Sequence, residues 1–183
     1  MKNIHWALLL IAFMFMHGCA VRTGSTKVEV TALKSDQNIS LQGKKFFVAM
    51  PTDFSKGASV EKDSGLHTQQ ALQKGLQKQL VGATYDDAPR ATSEALAKAV
   101  ASRNDYMLDV RIVEWRDPPA SFQLERDKGE VILAVLDVET GKILQQDSVL
   151  CTGVATTVNL VGFYSPKDCL VKAFEQWGRE RFK

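Results

Sequence analysis

Beyond its first twenty residues this chain holds few side chains suited to chemistry. His67 is the one histidine left once His5 and His17 are set aside with the N-terminal segment. A single histidine cannot build a His-rich zinc site, so a metal would need carboxylates and two thiols, and none is expected. A Ser-His-Asp triad through His67 would lack the Gly-x-Ser-x-Gly elbow that presents such a serine. The ordinary reading of His67 is a surface residue in the first turn of a helix. No glycine-rich phosphate loop and no dinucleotide fingerprint occurs. Asp86-Asp87, Asp53 and Asp63 fall in expected loops, as solvated turn residues do. No catalytic residue and no cofactor is therefore expected.

The clearest chemistry sits at Cys19. Met1-Lys2-Asn3 is a short, weakly positive start, and Trp6 to Met16 is an uncharged apolar run of 11 residues. A membrane span needs about 20 such residues, so the run reads as the apolar region of a secretion signal. Met16-His17-Gly18-Cys19 follows directly. It resembles a lipobox, in which a small residue precedes a cysteine that is diacylated before cleavage. Cleavage is expected between Gly18 and Cys19, with Cys19 lipidated. Ala20 in place of Asp implies, by the enterobacterial sorting rule, export onward to the outer membrane.

The expected organisation is a signal over 1–18, a lipidated Cys19 with a polar tether over 19–43, and a periplasmic domain over 44–183. A coil of the tether's length spans about 25–30 Å. Val28, Val30 and Ala32 alternate with polar residues within it, which allows a short edge strand. With 45% hydrophobic and 24% charged residues and a net charge of +2, the chain reads as globular. Scattered Lys and Arg at near-neutral balance exclude an electrostatic nucleic-acid binder.

From Lys44 onward the pattern predicts β-α-β-α-β-β-β-α. Phe46 to Met50 is an apolar run ending at Pro51, as in a strand buried on both faces. Ser64 caps a helix from Gly65, with Leu72, Leu76 and Leu80 as one stripe and Gly82 at its end. Ala83 to Asp86 makes a short strand. Pro89 opens a helix to about Arg103, with Ala95, Leu96, Ala99 and Val100 inward. Strands follow over 105–115, 130–138 and 142–157, the last two joined by a hairpin at Glu139-Thr140-Gly141. Pro166 starts a final helix with Leu170, Ala173, Phe174 and Trp177 on one face. The fold class is α/β, a single mixed sheet with helices packed on it.

Two further cysteines then acquire positions. Cys151 lies in the last strand and Cys169 in the first turn of the final helix. An oxidising compartment favours a Cys151–Cys169 disulfide, and two separate buried thiols are the alternative. Trp115 and Phe122 flank two prolines at a strand end, a place from which aromatic side chains can reach a partner.

Ser64-Gly65, Ile112 to Asp117, Asp137 to Leu144, and Gly162 with Ser165 to Leu170 stand out as short motifs. Together they resemble a family of bacterial lipoproteins known only as a domain of unknown function (DUF 4823-like). This chain departs from the family's pattern at Asp117-Pro118-Pro119 and at Cys169. The resemblance implies a location and a fold rather than a reaction. The arrangement is also similar to periplasmic lipoprotein domains that assist envelope machines.

The leading expectation is a non-catalytic binding or assembly module, joined to the membrane through its lipid and to an envelope protein or glycan. A hydrolase or transferase of envelope polymers, using carboxylates united by the fold, is the first alternative. A homo-oligomeric structural lipoprotein, joined through an edge strand, is the second.

Overall fold

In a computed structural model of the chain, residues 22–23, 26–35, 40–117, 126–153, 155–156 and 165–183 are described. Gly18, Cys19 and Phe122 lie outside them.

The strands are β1 (Arg22–Thr23), β2 (Lys27–Ser35), β3 (Phe46–Met50), β4 (Phe54–Lys56), β5 (Ser59–Glu61), β6 (Thr84–Pro89), β7 (Tyr106–Arg116), β8 (Lys128–Asp137), β9 (Ile143–Thr152) and β10 (Ala155–Thr156). The helices are α1 (Ser64–Gly75), α2 (Thr92–Ala101) and α3 (Pro166–Arg181). Six strands form the main mixed sheet in the order β2-β9-β8-β7-β3-β6, while β4-β5 and β1-β10 form small two-stranded sheets. β3 runs parallel to both β6 and β7, and β2, β9, β8 and β7 are antiparallel neighbours.

Strand periodicity decides which helix packs where. Alternate residues Phe46, Val48, Leu108, Val110, Val131, Leu133, Val135 and Val149 point to one face. There they meet Leu72 and Leu76 of the α1 segment and Leu170, Phe174 and Trp177 of α3. The intervening residues Phe47, Ala49, Met107, Ala134 and Leu136 point to the other face and meet Ala95 and Ala99 of α2.

Five local expectations are corrected. Residues 27–35, expected within the tether with at most a short strand, make a nine-residue edge strand paired along β9. Ser64 is not a cap: Asp63 holds the N-cap position at φ 64° without a side-chain bond. Asp53 does that work from the preceding loop, accepting from Gly65 N (2.8 Å) and Asp63 N (3.1 Å). α1 stops at Gly75 rather than Gly82 because α3 crosses there. A Cβ on Gly75 would lie 2.7 Å from the Val171 carbonyl oxygen, and one on Gly178 would lie 2.6 Å from Leu76 Cδ2. Pro89 ends edge strand β6 instead of opening a helix, as an edge tolerates its missing N–H. Val100, expected inward, is 55% exposed because α2 turns the narrow Ala95–Ala99 stripe to the sheet and Val100 lies outside it.

Candidate functional site

The acids placed in loops by sequence divide into three structural situations. Asp86 is buried in β6, and its carboxylate accepts from Lys98 Nζ (2.8 Å) and Arg90 Nε (3.2 Å). Asp87 beside it is exposed and pairs with the same two cations, which hold its carboxyl well below the usual range. This is a clasp between β6 and α2 rather than a pair of solvated turn residues. Asp53 is the external cap of α1.

A second buried acid, Asp147, lies on β9 and is 0% exposed. Its Oδ2 accepts from Gln145 Nε2 (2.6 Å), Trp177 Nε1 (2.7 Å) and Arg181 Nε (3.1 Å), and its Oδ1 from Arg181 Nη2 (2.9 Å). The arrangement satisfies a buried charge and locks the far end of α3 to the sheet. Cys151, also on β9, is joined to Cys169 in the first turn of α3, with Cα atoms 5.7 Å apart. α3 is thus fixed to one strand at both ends.

The third acid is chemically distinct. Asp127 is 2% exposed, yet its Oδ1 has no hydrogen-bond partner. Burial, and then the nearby charges of Asp117 and Asp168, push its carboxyl up to about 6. Asp117, exposed at the end of β7, is raised too, by partial burial and Glu61, against the opposing influence of His67. Gly153 closes over Asp127, its N–H donating to the Asp127 carbonyl at 2.8 Å. The result is one buried proton-holding group among acids, the kind of perturbed carboxyl often found at functional sites. Among the described residues, no group of three or more His, Cys, Asp or Glu is arranged to hold a metal.

A carboxyl raised in the folded state binds protons more tightly there than when unfolded. Stability from this group is therefore greatest below about pH 4 and falls as the pH rises toward 6. The full displacement would correspond to about 3 kcal/mol in a dry site, and solvent screening reduces it to about 1–2 kcal/mol. Asp127→Asn is expected to raise Tm at pH 7.5 by about 2–6 °C and to change it little at pH 4, in paired thermal melts. Equal Tm values at pH 7.5 would remove the carboxyl from this account.

Trp115, expected as a partner contact, is only 8% exposed. It packs in the core and stacks on His67, ring centroids 6.2 Å apart and planes 26° from parallel. A residue shift between Ile112 and Glu114 sets this. The bulge turns Trp115 toward the helical layer. His67 is accordingly a half-buried stacking partner.

Two cavities lie away from Asp127. One of about 450 Å³ is lined by residues including Lys44, Asn104, Asp105, Tyr106 and Asp137. Several of its polar groups are engaged: Asp105 accepts from Lys45 N, Asp137 from Thr140, and Lys44 lies over the Tyr106 ring. The other, about 220 Å³, lies between the end of α1 and α3.

The largest organised feature is a surface. α2 packs against β3 and the adjoining parts of the sheet, and among the described residues no helix covers the remainder of that face on β2, β9, β8 and β7. Leu150 and Ile132 are half-buried at its middle, and Leu33 and Val113 stand exposed at its two bulges.

The profile of the family described as Domain of unknown function (DUF4823) matches residues 39–180. The chain belongs to the DUF4823 family. No curated protein sequence matches it significantly. Among solved structures, this DUF4823 domain resembles the PelC dodecamer from Paraburkholderia phytofirmans, with a TM-score of 0.58 at 15% identity. The alignment covers 86% of this chain and 99% of that one. A single-substitution variant of the same PelC dodecamer gives 0.56 at 16% identity, covering 82% and 96%. Lipoprotein GNA1162 from Neisseria meningitidis aligns over 59% of this chain and 82% of its own, at 14% identity and a TM-score of 0.41. At these identities the PelC likeness establishes a shared fold alone.

Proposed function

We propose that this DUF4823 chain is an envelope lipoprotein, cut behind Gly18 and lipidated on Cys19. Its α/β domain then works in the periplasm, at the outer membrane, as a non-catalytic assembly module. The observation that carries the module reading is the face of β2, β9, β8 and β7 that no helix covers among the described residues. It is a broad surface of mixed apolar and charged character, of the kind used to dock partners. The fold's likeness to PelC, a protein described as a dodecamer, supports self-assembly as the form that docking takes. Among the described residues no helix is long and apolar enough to cross a membrane. Because described strands begin at Arg22 and Lys27, structure starts well inside the 19–43 expected as tether.

A hydrolase or transferase is the second reading, and Asp127 alone favours it: a carboxyl near 6 can donate a proton at neutral pH. Neither described cavity adjoins it.

Fractionation of cells tests the proposal. The wild-type chain is expected in the outer-membrane fraction and labelled by palmitate. Cys19→Ser is expected to accumulate as an unlabelled precursor. A Cys19→Ser chain processed and membrane-held like wild type would contradict the anchor.

A further inference from the structure

The register of the main sheet sorts the charges of its open face into bands. Lys27, Thr152, Lys128 and Arg116 share one rung across β2, β9, β8 and β7. The next rung on the same face is Glu29, Leu150, Glu130 and Glu114. A row of three cations therefore lies beside a row of three anions, about 7 Å away along the strands. The third rung is Thr31, Ser148, Ile132 and Arg111. Val28 and Val30 of β2, Trp115 of β7 and Val131 of β8 all pack in the helical layer. Strand alternation thus sends both charged rungs to the opposite, open side.

Within one chain the bands neutralise each other. Lys27 pairs with Glu29 (2.5 Å), Arg116 with Glu114 (3.0 Å), and Lys128 also with Glu114, while Glu130 accepts from Ser148 (3.0 Å). A face of near-zero net charge is a poor match for a phosphate-rich lipid surface or a polyanion. It suits an object carrying the same two bands in reverse order.

We infer that the occupant of this face is a second copy of the same chain, docked face to face about a two-fold axis. The inference rests on the assembly reading and names its partner. An axis lying between the two sheets, parallel to the rungs and midway between the charged pair, places each cationic rung over the partner's anionic one. Every charge keeps its neighbour in its own chain and gains an opposite charge across the interface. Leu150 of each copy is covered beside the axis, facing Thr152 of the other. The contact is isologous, as a two-fold requires. Aligned sheet packing accommodates it at a separation of about 10 Å. Four strands by the two charged rungs make a footprint of about 260 Å², small beside the roughly 800 Å² per partner of a standard interface. The pair is accordingly reversible and concentration-dependent, and a shared membrane anchor would raise its effective concentration.

Charge swapping tests this on the full chain in detergent, with mass distributions read by native mass spectrometry and sedimentation. Wild type is expected to dimerise reversibly. Glu130→Lys places cations over cations, Lys128→Glu anions over anions, and each is expected to weaken dimerisation at least about tenfold. An equimolar mixture of the two variants is expected to restore a heterodimer, because both contact clusters become complementary again. Glu29→Lys and Lys27→Glu, as two single variants and then as a mixture, repeat the test on exposed edge strand β2, where folding is least at risk. Dimers unaffected by either swap, or a mixture that stays monomeric, would overturn the inference. An oligomer that persists through all swaps leaves the assembly reading standing and rejects this face. A monomeric wild type that binds phosphatidylglycerol vesicles through these charges would replace the second copy with a lipid surface.

Discussion

Replacing Asp147 by alanine is expected to destabilise the domain by about 3–5 kcal/mol, the range for breaking a buried, hydrogen-bonded ion pair. The carboxylate is fully buried and accepts four bonds, from Gln145, Trp177 and, twice, Arg181. Its removal leaves a guanidinium with 26% side-chain exposure and a buried indole N–H without their acceptor. Both belong to α3, so the helix would detach first at its C-terminal half. At a urea slope of about 2 kcal/mol per M, the midpoint would fall by about 1.5–2.5 M. Arg181→Ala should cost less, since Trp177 and Gln145 still satisfy Asp147, and the double variant should cost less than the sum. A midpoint for Asp147→Ala within 0.3 M, roughly, of wild type would show that the cluster does not hold α3 in place.

The second large effect belongs to Cys151 and Cys169. The bond closes a loop of about the length for which chain entropy predicts roughly 3 kcal/mol of stabilisation. Both sulfurs are fully buried, so reduction requires the start of α3 to lift from β9. Unreduced, folded protein is expected to show neither of these thiols on titration after denaturation, and both after reduction. The double alanine variant should lose about 3 kcal/mol in denaturant unfolding. Two free thiols in protein never exposed to reductant would mean separate buried cysteines.

The parts of this fold legible in the sequence are those set by local rules. The final helix shows its stripe at Leu170, Ala173, Phe174 and Trp177, with Ser165 accepting from Asp168 N as its cap. The β8-β9 hairpin shows its turn at Gly141, where φ is 68°. What stayed hidden depends on contacts distant in sequence. α1 ends at Gly75 because α3 arrives there, and no residue near Gly75 announces it. Trp115 reads as a presented aromatic until one bulged residue turns it inward. Asp86, Asp127 and Asp147 look alike in sequence, yet Asp86 is clasped by two cations, Asp147 is hydrogen-bonded through both oxygens, and Asp127 is buried among other acids with its carboxyl pushed up. The charged bands of the open face exist only once the register of four strands is known. The alternations Lys-Val-Glu-Val at 27–30, Lys-Gly-Glu-Val at 128–131 and Glu-Trp-Arg at 114–116 were the local traces of them.

The anchored-module account can be tested most directly by weighing the chain itself. Intact mass spectrometry of the protein extracted from membranes should give a polypeptide beginning at Cys19, heavier by the mass of its acyl groups, with two hydrogens missing for the Cys151–Cys169 bond. A polypeptide beginning near Ala20 with no added mass, or the uncut chain beginning at Met1, would contradict it.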